Sequence, residues 1–251
     1  MPTFVHGKGT KVLIDEFDLS TYFTSVDVTQ AIDTAETTTF SANSKSYIKG
    51  LEDGTISLSG LFAQDADGSD EELSAILGAA TTPLVTIAFE AGTIGNRCVV
   101  AKAHETTYSI SNPVADVSSV TADFNASSDA VANLLRSITT GVMLTTGSSI
   151  AYGDLGNLAS VDNGASSTNG GTAILHVTAN SVSGGATTIK VQHSADDSTW
   201  ADLITFSAVS ASTVTSEQKV VTGTINQYVR VTASTAGSSG AITFHTGFAR
   251  F

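Results

Sequence analysis

The chain has 251 residues, 41% of them hydrophobic and only 14% charged, with a formal net charge of -13. Its single cysteine excludes an internal disulfide framework and any cysteine-rich zinc site. An acidic chain without a basic stripe lacks the counterion-releasing contacts that supply most nucleic-acid affinity, so a DNA-gripping protein is excluded as well.

The charge is unevenly spread. Residues 1–140 hold 7 Lys+Arg against 18 Asp+Glu, a net of -11, whereas 141–251 hold 4 against 6, a net of -2. With about 150 residues per domain as a guide, the length suggests two domains in different surroundings. A surface built from Ser, Thr, Asn and Gly has little side-chain entropy to lose when covered, which suits repeated subunit contacts. The opening Met1-Pro2-Thr3-Phe4-Val5-His6 lacks the basic segment and apolar run of a secretory signal. No stretch approaches the ~18 apolar residues of a membrane span. The expectation is a soluble protein made in a cytoplasm, with no membrane binding.

Val12-Leu13-Ile14 near the start fits either a strand or an extended arm docking on a neighbour. Residues 25–40 read as strand, with Val26 and Val28 alternating against Asp27 and Thr29. Ser41 to Gly50 is polar and turn-rich. Ile56, Leu58 and Gly60 then alternate with Thr55, Ser57 and Ser59, the period of a half-buried strand. The clearest helix spans 69–78, where Ser69 and Glu72 have capping-box spacing and Leu73, Ile76 and Leu77 share a face before Gly78. Strand-like runs resume at 84–89, 98–100, 106–110 and 117–124, and Val131, Leu134, Leu135 and Ile138 suggest a second helix over 129–138.

The Gly/Ser/Asn-rich stretch 153–171 reads as a linker between residues 1–152 and a β-domain over 172–251. That second domain shows short strand candidates separated by turn signals, the pattern of a compact β-sandwich.

The residues that could carry chemistry have plainer readings. Asp65 to Glu72 is acidic but lacks the ligand spacing of a calcium loop; acidic groups there suit a helix N-terminus. His193-Ser194-Ala195-Asp196 contains triad residue types, yet strand neighbours point to opposite faces, and no nucleophile elbow is present. The five histidines lack metal-ligand spacing, and Gly7-Lys8-Gly9 is not a full phosphate loop. Cys98 reads as a buried strand residue. Trp200 reads as the core anchor of the small sandwich, with a surface-binding aromatic as the other option. No catalytic residue, metal site or cofactor is expected.

The order of features from Val12-Leu13-Ile14-Asp15 through Asp33-Thr34-Ala35-Glu36-Thr37-Thr38-Thr39-Phe40 to Tyr47-Ile48-Lys49-Gly50-Leu51 and Ile56-Ser57-Leu58-Ser59-Gly60 resembles the tail tube (major tail) proteins of siphophages. The C-terminal part, with Leu175-His176-Val177-Thr178-Ala179, Thr199-Trp200-Ala201-Asp202-Leu203 and Tyr228-Val229-Arg230-Val231, looks like the added β-domain of such proteins. The resemblance implies a mainly β fold: a tail-tube-type β-sandwich or barrel domain with a flanking helix, plus a C-terminal immunoglobulin-like β-sandwich. It implies homo-oligomeric rings, usually hexameric, stacked into a conduit around a tape-measure protein and joined to tail-end proteins. Viral DNA would pass through without specific binding.

By position, Ser44, Lys45, Ser46, Tyr47 and Ile48 would form an inter-subunit hairpin tip, and Phe4, Val5, Val12 and Ile14 an N-terminal arm. The expected role is a non-enzymatic virion structural protein of the phage tail, assembled in the host cytoplasm. The competing reading is a capsid decoration or carbohydrate-adhesion protein. The second domain, near charge balance, is expected to decorate the tube exterior.

Overall fold

The computed structural model describes residues 6–127 and 138–251, and the chain there is mainly antiparallel β-structure. In the first half the strands are β1 (Lys11–Ile14), β2 (Phe17–Asp18), β3 (Phe23–Glu36), β4 (Tyr47–Leu61), β5 (Leu84–Ala88), β6 (Arg97–Ser111), β7 (Ser119–Ala126) and β8 (Ile138–Met143). The second half adds β9 (Ser149–Ala151), β10 (Val161–Asp162), β11 (Gly171–Asn180), β12 (Thr187–Ser194), β13 (Ala201–Thr205), β14 (Thr215–Val221), β15 (Tyr228–Thr235) and β16 (Ala241–Arg250). One α-helix, α1 (Ser69–Ile76), is present among the described residues.

The strands make two sandwiches. In the first, the sheet β3-β4-β7-β6 faces the sheet β8-β6-β5-β1-β2. Period-two alternation supplies the core: Ile56, Leu58, Val120, Ala122 and Phe124 meet Val12, Ile14, Val85, Ile87, Val99 and Ala101. Strand β6 belongs to both sheets. Its first part pairs with β5 and β8, and its second part pairs with β7 across a register shift between Glu105 and Thr107. The strand passes from one sheet to the other between Lys102 and Ala103, and the bulge lies a few residues further along the second sheet. Gly60 is needed where it stands, because a Cβ there would lie 2.2 Å from the Tyr22 carbonyl oxygen.

In the second sandwich, β14-β11-β16 faces β10-β15-β12-β13 around Leu175, Val177, Phe244 and Phe248 on one side and Ile189, Val191, Val229 and Val231 on the other. The two sandwiches are joined through β8, which pairs with β6 and, at Val142 and Met143, with Phe248 and Gly247 of β16. A third, smaller buried layer lies between them: Leu84, Ala88, Cys98 and Val100 share a cluster with Met143, Ile174 and Ala249. Gly247 permits this approach, since a Cβ there would sit 2.7 Å from Val100 Cγ1. Cys98 is fully buried in this layer, and burial pushes its thiol up to about 12.

Several local expectations change. The helix begins at Ser69, but Gly68 occupies the N-cap position and no side chain caps it. Ser69 is instead buried: its hydroxyl donates to the Leu61 carbonyl and accepts from the Ala63 N–H. The capping-box reading therefore gives way to a hydroxyl that fastens the preceding loop. The helix expected over 129–138 lies outside the described residues except for Ile138, which opens β8. The stretch 153–171 runs along the second sandwich. Here β10 pairs with β15, Ser167 bridges Ile225, and Arg250 donates to the Ala165 carbonyl.

Candidate assembly surface

Among the described residues, the sheet β3-β4-β7-β6 leaves two backbone edges without strand partners: the whole outer side of β3, and the distal part of β6 beyond its bulge. Long unpaired edges are templates for strand addition. The outward face of this sheet is set by register. Val28 pairs with Ile56, and Ile56 with Phe124, on the core side. The intervening residues Asp27, Thr29, Asp53, Thr55, Ser57, Ser59, Thr121, Asp123 and Asn125 then share the other face. The three fixed charges in this set, Asp27, Asp53 and Asp123, are all negative.

Strands β3 and β4 also outrun their support. Pairing of β4 with β7 stops at Thr55 and Asn125, whereas β3 and β4 continue to Glu36 and Tyr47. Along the core side of β3, Val26 and Val28 pack into the first core and Gln30 reaches the Ile138 carbonyl at 2.6 Å. Ile32, next on that side, is exposed, as are Tyr47, Ile48 and Leu51 across the ribbon. The tip, residues 37–46, carries Phe40 at 114% exposure. A two-stranded ribbon is marginal by itself in water. Here a few polar links hold it: Thr37 N–H to the Ser46 carbonyl, Ser46 N–H to Thr38 Oγ1, and ion pairs Lys45–Glu36 and Lys49–Glu52.

At the opposite end of the same sheet, Leu61, Ile110 and Val117 are exposed and Val114 reaches 108%. Both ends thus present exposed apolar side chains among the described residues.

Ser44, Lys45 and Ser46 fall in the tip, while Tyr47 and Ile48 open β4 opposite Glu36 and Ala35, so the turn sits a few residues earlier than expected. Phe4 and Val5 lie outside the described residues. Val12 and Ile14 are not in a free arm; they are buried in β1, paired with Ile87 and Val85 of the same chain. Of the two readings left open for that segment, the strand is the one adopted, because the residues between Lys11 and Ile14 complete the first core.

Trp200 is not the anchor of the second core. It is half-buried beside the outer face of β12 and β15, where the Arg230 guanidinium stacks 4.0 Å from its ring centroid. Gln192 Oε1 accepts from Arg230 Nε at 3.0 Å, and Gln192 Nε2 donates to Asp202 at 2.8 Å. The core position is taken by Phe206, Phe244 and Phe248.

The His193–Asp196 segment forms a turn. Asp196 accepts from Ser198 N–H, Thr199 N–H and the Ser194 hydroxyl, and these bonds hold its carboxyl well below the usual range. His193 accepts from Asn226 N–H, so no relay forms. In the acidic segment, burial first and the neighbouring Asp67 and Glu71 second push Glu72 up to about 7. Among the described residues no group of three His, Cys, Asp or Glu is placed to hold a metal ion.

Sequence reasoning missed Glu105, which is only 5% exposed and whose two carboxylate oxygens have no hydrogen-bond partner. Burial pushes its carboxyl up to about 8. Nothing in the pattern His104-Glu105-Thr106-Thr107 marks it, since its inward aim depends on the bulge.

No protein-family model matches the chain, and no curated protein matches its sequence. Partial likenesses to solved structures exist. A chain of the virion of a native gene transfer agent particle is 16% identical over 49% of this chain and 95% of its own, with a TM-score of 0.42. A chain of the tube-terminating cap of the anti-feeding prophage is 15% identical over 57% and 93%, with a TM-score of 0.44. The SPP1 Dit protein is 14% identical over 95% and 98%, with a TM-score of 0.37. Likenesses this distant carry no functional information.

Proposed function

We propose that this chain is a structural subunit of a phage tail, polymerising through stacked rings into a tube that conducts the genome. The observation that carries this reading is the four-stranded sheet with two free edges and strands that overrun their own core. Joining β3 of one copy to the distal part of β6 of the next would extend the sheet around a ring, and closing the ring would remove both edges. The outward face, polar and carrying Asp27, Asp53 and Asp123, would line the channel. Fixed negative charge there would keep a phosphate backbone from settling, over a screening length of about 8 Å at physiological ionic strength. The β3–β4 ribbon would reach the adjacent ring and bury Tyr47 and Ile48. Residues 172–251, with 153–171 packed along them, would sit outside the tube wall of residues 1–152. The tape-measure and tail-end proteins would be its other partners.

Negative-stain electron microscopy of the purified protein tests the reading. Rings or hollow tubes are expected; globules at all concentrations and salt conditions would overturn it.

A further inference from the structure

The layer between the two sandwiches contains the chain's two most deeply buried histidines. His176 on β11 and His245 on β16 are direct partners across the strand pair, and both are buried. Their side chains leave the second sandwich on the face turned toward the first, the face that also presents Ile174, Gly247 and Ala249.

Each ring is held in its neutral form. His176 Nδ1 lies 2.5 Å from the Asp15 backbone carbonyl, which can only accept, so Nδ1 carries the proton. Nε2 then accepts from the Thr86 hydroxyl at 2.7 Å. His245 lies against Gly147, where any Cβ would strike the ring. Its Nδ1 has no partner, and its Nε2 stands 4.0 Å from Asp18 Oδ2. That carboxylate is already engaged by Lys11 Nζ at 2.6 Å and by Ser20.

The other groups facing the pair are Asp15 from the β1–β2 turn, whose side chain accepts from Leu84 N–H and the Ser216 hydroxyl, and neutral Ser216 of β14, opposite His176. One carboxylate, Asp18, faces His245 and favours the charged form, but its single charge, shared with Lys11, does not neutralise two imidazolium ions placed side by side.

We propose that His176 and His245 form an acid-sensitive latch: neutral, they let the two sandwiches pack together, and their protonation opens the layer between them while both sandwich cores stay folded. Three observations favour local opening. Both histidines stand on the faces of β11 and β16 opposite to those that fill the second core, the intervening hydrophobic cluster is the smallest of the three, and the ladder between β8 and β16 is short, Val142 and Met143 being followed by a bond from Leu144 N–H to the Thr246 carbonyl. The direction follows from burial, which lowers both imidazoles to about 4 from the ordinary 6.5. As the pH falls through 6.5 the open form takes up protons that the closed form refuses, so closure weakens progressively down to about 4. Asp18, held below its ordinary range chiefly by Lys11 and Ser20, remains charged through most of this window and does not set it.

The chain supplies its own reporter, because Cys98 is the single cysteine and is sealed in this layer. The test follows attack of the Cys98 sulfur on 4,4′-dithiodipyridine, a disulfide that stays reactive in acid and releases 4-thiopyridone, in the full-length protein between pH 7.5 and 4.5. Rates are normalised to free cysteine at each pH, with far-ultraviolet circular dichroism recorded in parallel. The expected result is a rise of about tenfold or more below pH 6 with an unchanged dichroism spectrum, a factor of ten corresponding to one pK unit of differential proton binding. The rise should be reduced in His176→Gln/His245→Gln. If that variant fails to fold, hydrogen exchange of the wild-type chain decides: faster amides at pH 5 than at pH 7, after correction for intrinsic rates, confined to β5, β8 and β16. A flat Cys98 rate, a rise undiminished in the variant, or a rise that coincides with loss of the dichroism signal would each overturn the latch.

Discussion

The two sandwiches solve the same packing problem and treat their surroundings differently. The second folds its strands back on themselves and keeps its large apolar residues inside, Tyr152 and Val214 being the exposed exceptions among its described residues. The first lets β3, β4 and β6 run past the core they help to build, leaving Ile32, Phe40, Ile48, Leu51, Ile110 and Val114 in water. It also carries most of the negative charge, -11 against -2. A self-sufficient sandwich explains itself; one that overruns its core is half of a contact. Under the proposed function, polymerisation would fall to the first sandwich, and the second would be carried by it.

The largest expected effect comes from separating the two. Ending the chain near Gly153 removes β16 from β8 and uncovers Leu84, Cys98 and Val100. Each large side chain returned to water costs about 1.5–3 kcal/mol. Roughly 5 kcal/mol is a large part of a domain's usual margin of 5–15 kcal/mol. The truncated chain should melt well below the full one by differential scanning calorimetry. An unchanged melting temperature would make the first sandwich self-sufficient after all.

Phe124→Ala empties a fully buried position in the first core and should cost about 3–5 kcal/mol. If the shared layer couples the sandwiches, calorimetry will show one transition moving as a whole. Two transitions, with only one displaced, would show that the layer transmits little.

Glu105→Gln gives a smaller effect with a definite pH dependence. The carboxyl is raised to about 8 in the fold, so the native state holds a proton that the unfolded chain releases above about 4.3. Native stability is therefore full below about 4.3 and declines as the pH rises toward 8, a penalty the amide escapes. The variant should melt several degrees above wild type at pH 8 and level with it at pH 4, given about 2–4 °C per kcal/mol for a chain of this size. Equal melting at both values would mean that Glu105 is solvated.

The smallest effect on the subunit should come from Phe40→Ser, a change at a fully exposed tip: within about 0.5 kcal/mol for stability. Assembly, followed by light scattering, should be slowed severely. Hydrogen exchange over 41–50 should be fast in free subunits and protected in tubes. Equal protection in both states would make the ribbon intrinsic to the subunit.

Much of this fold could be read in the sequence. Alternation at 55–60 and 84–89 marks strands, and the apolar face of 69–78 marks the helix, because local period reports which side is buried. The Ser69 misreading shows the limit of that logic: capping-box spacing does not reveal that a hydroxyl will be buried under its own helix. Residues 106–110, expected as a separate strand, are the second part of β6, since a bulge leaves no compositional trace. The pairing of β8 with β16 joins residues about a hundred positions apart, and nothing in either segment names the other. Gly, Ser and Asn between 153 and 171 suggest slack chain, yet the same residues suit tight bridges along a sheet. At the candidate surface, the turn-rich 41–50 pointed to the hairpin, while the two free edges became visible only once the strand order was known.

Strand β6 has a mechanical consequence. It is continuous from the layer that meets the second sandwich to the sheet that offers its edges to neighbours, so a pull applied at the distal end travels along one backbone. Such a pull loads the hydrogen bonds to β5, β7 and β8 in shear, all of them at once, instead of unzipping them one by one. A wall built from such strands would bear tension along the strand direction and yield where the load path passes from one sheet to the other, between Lys102 and Ala103.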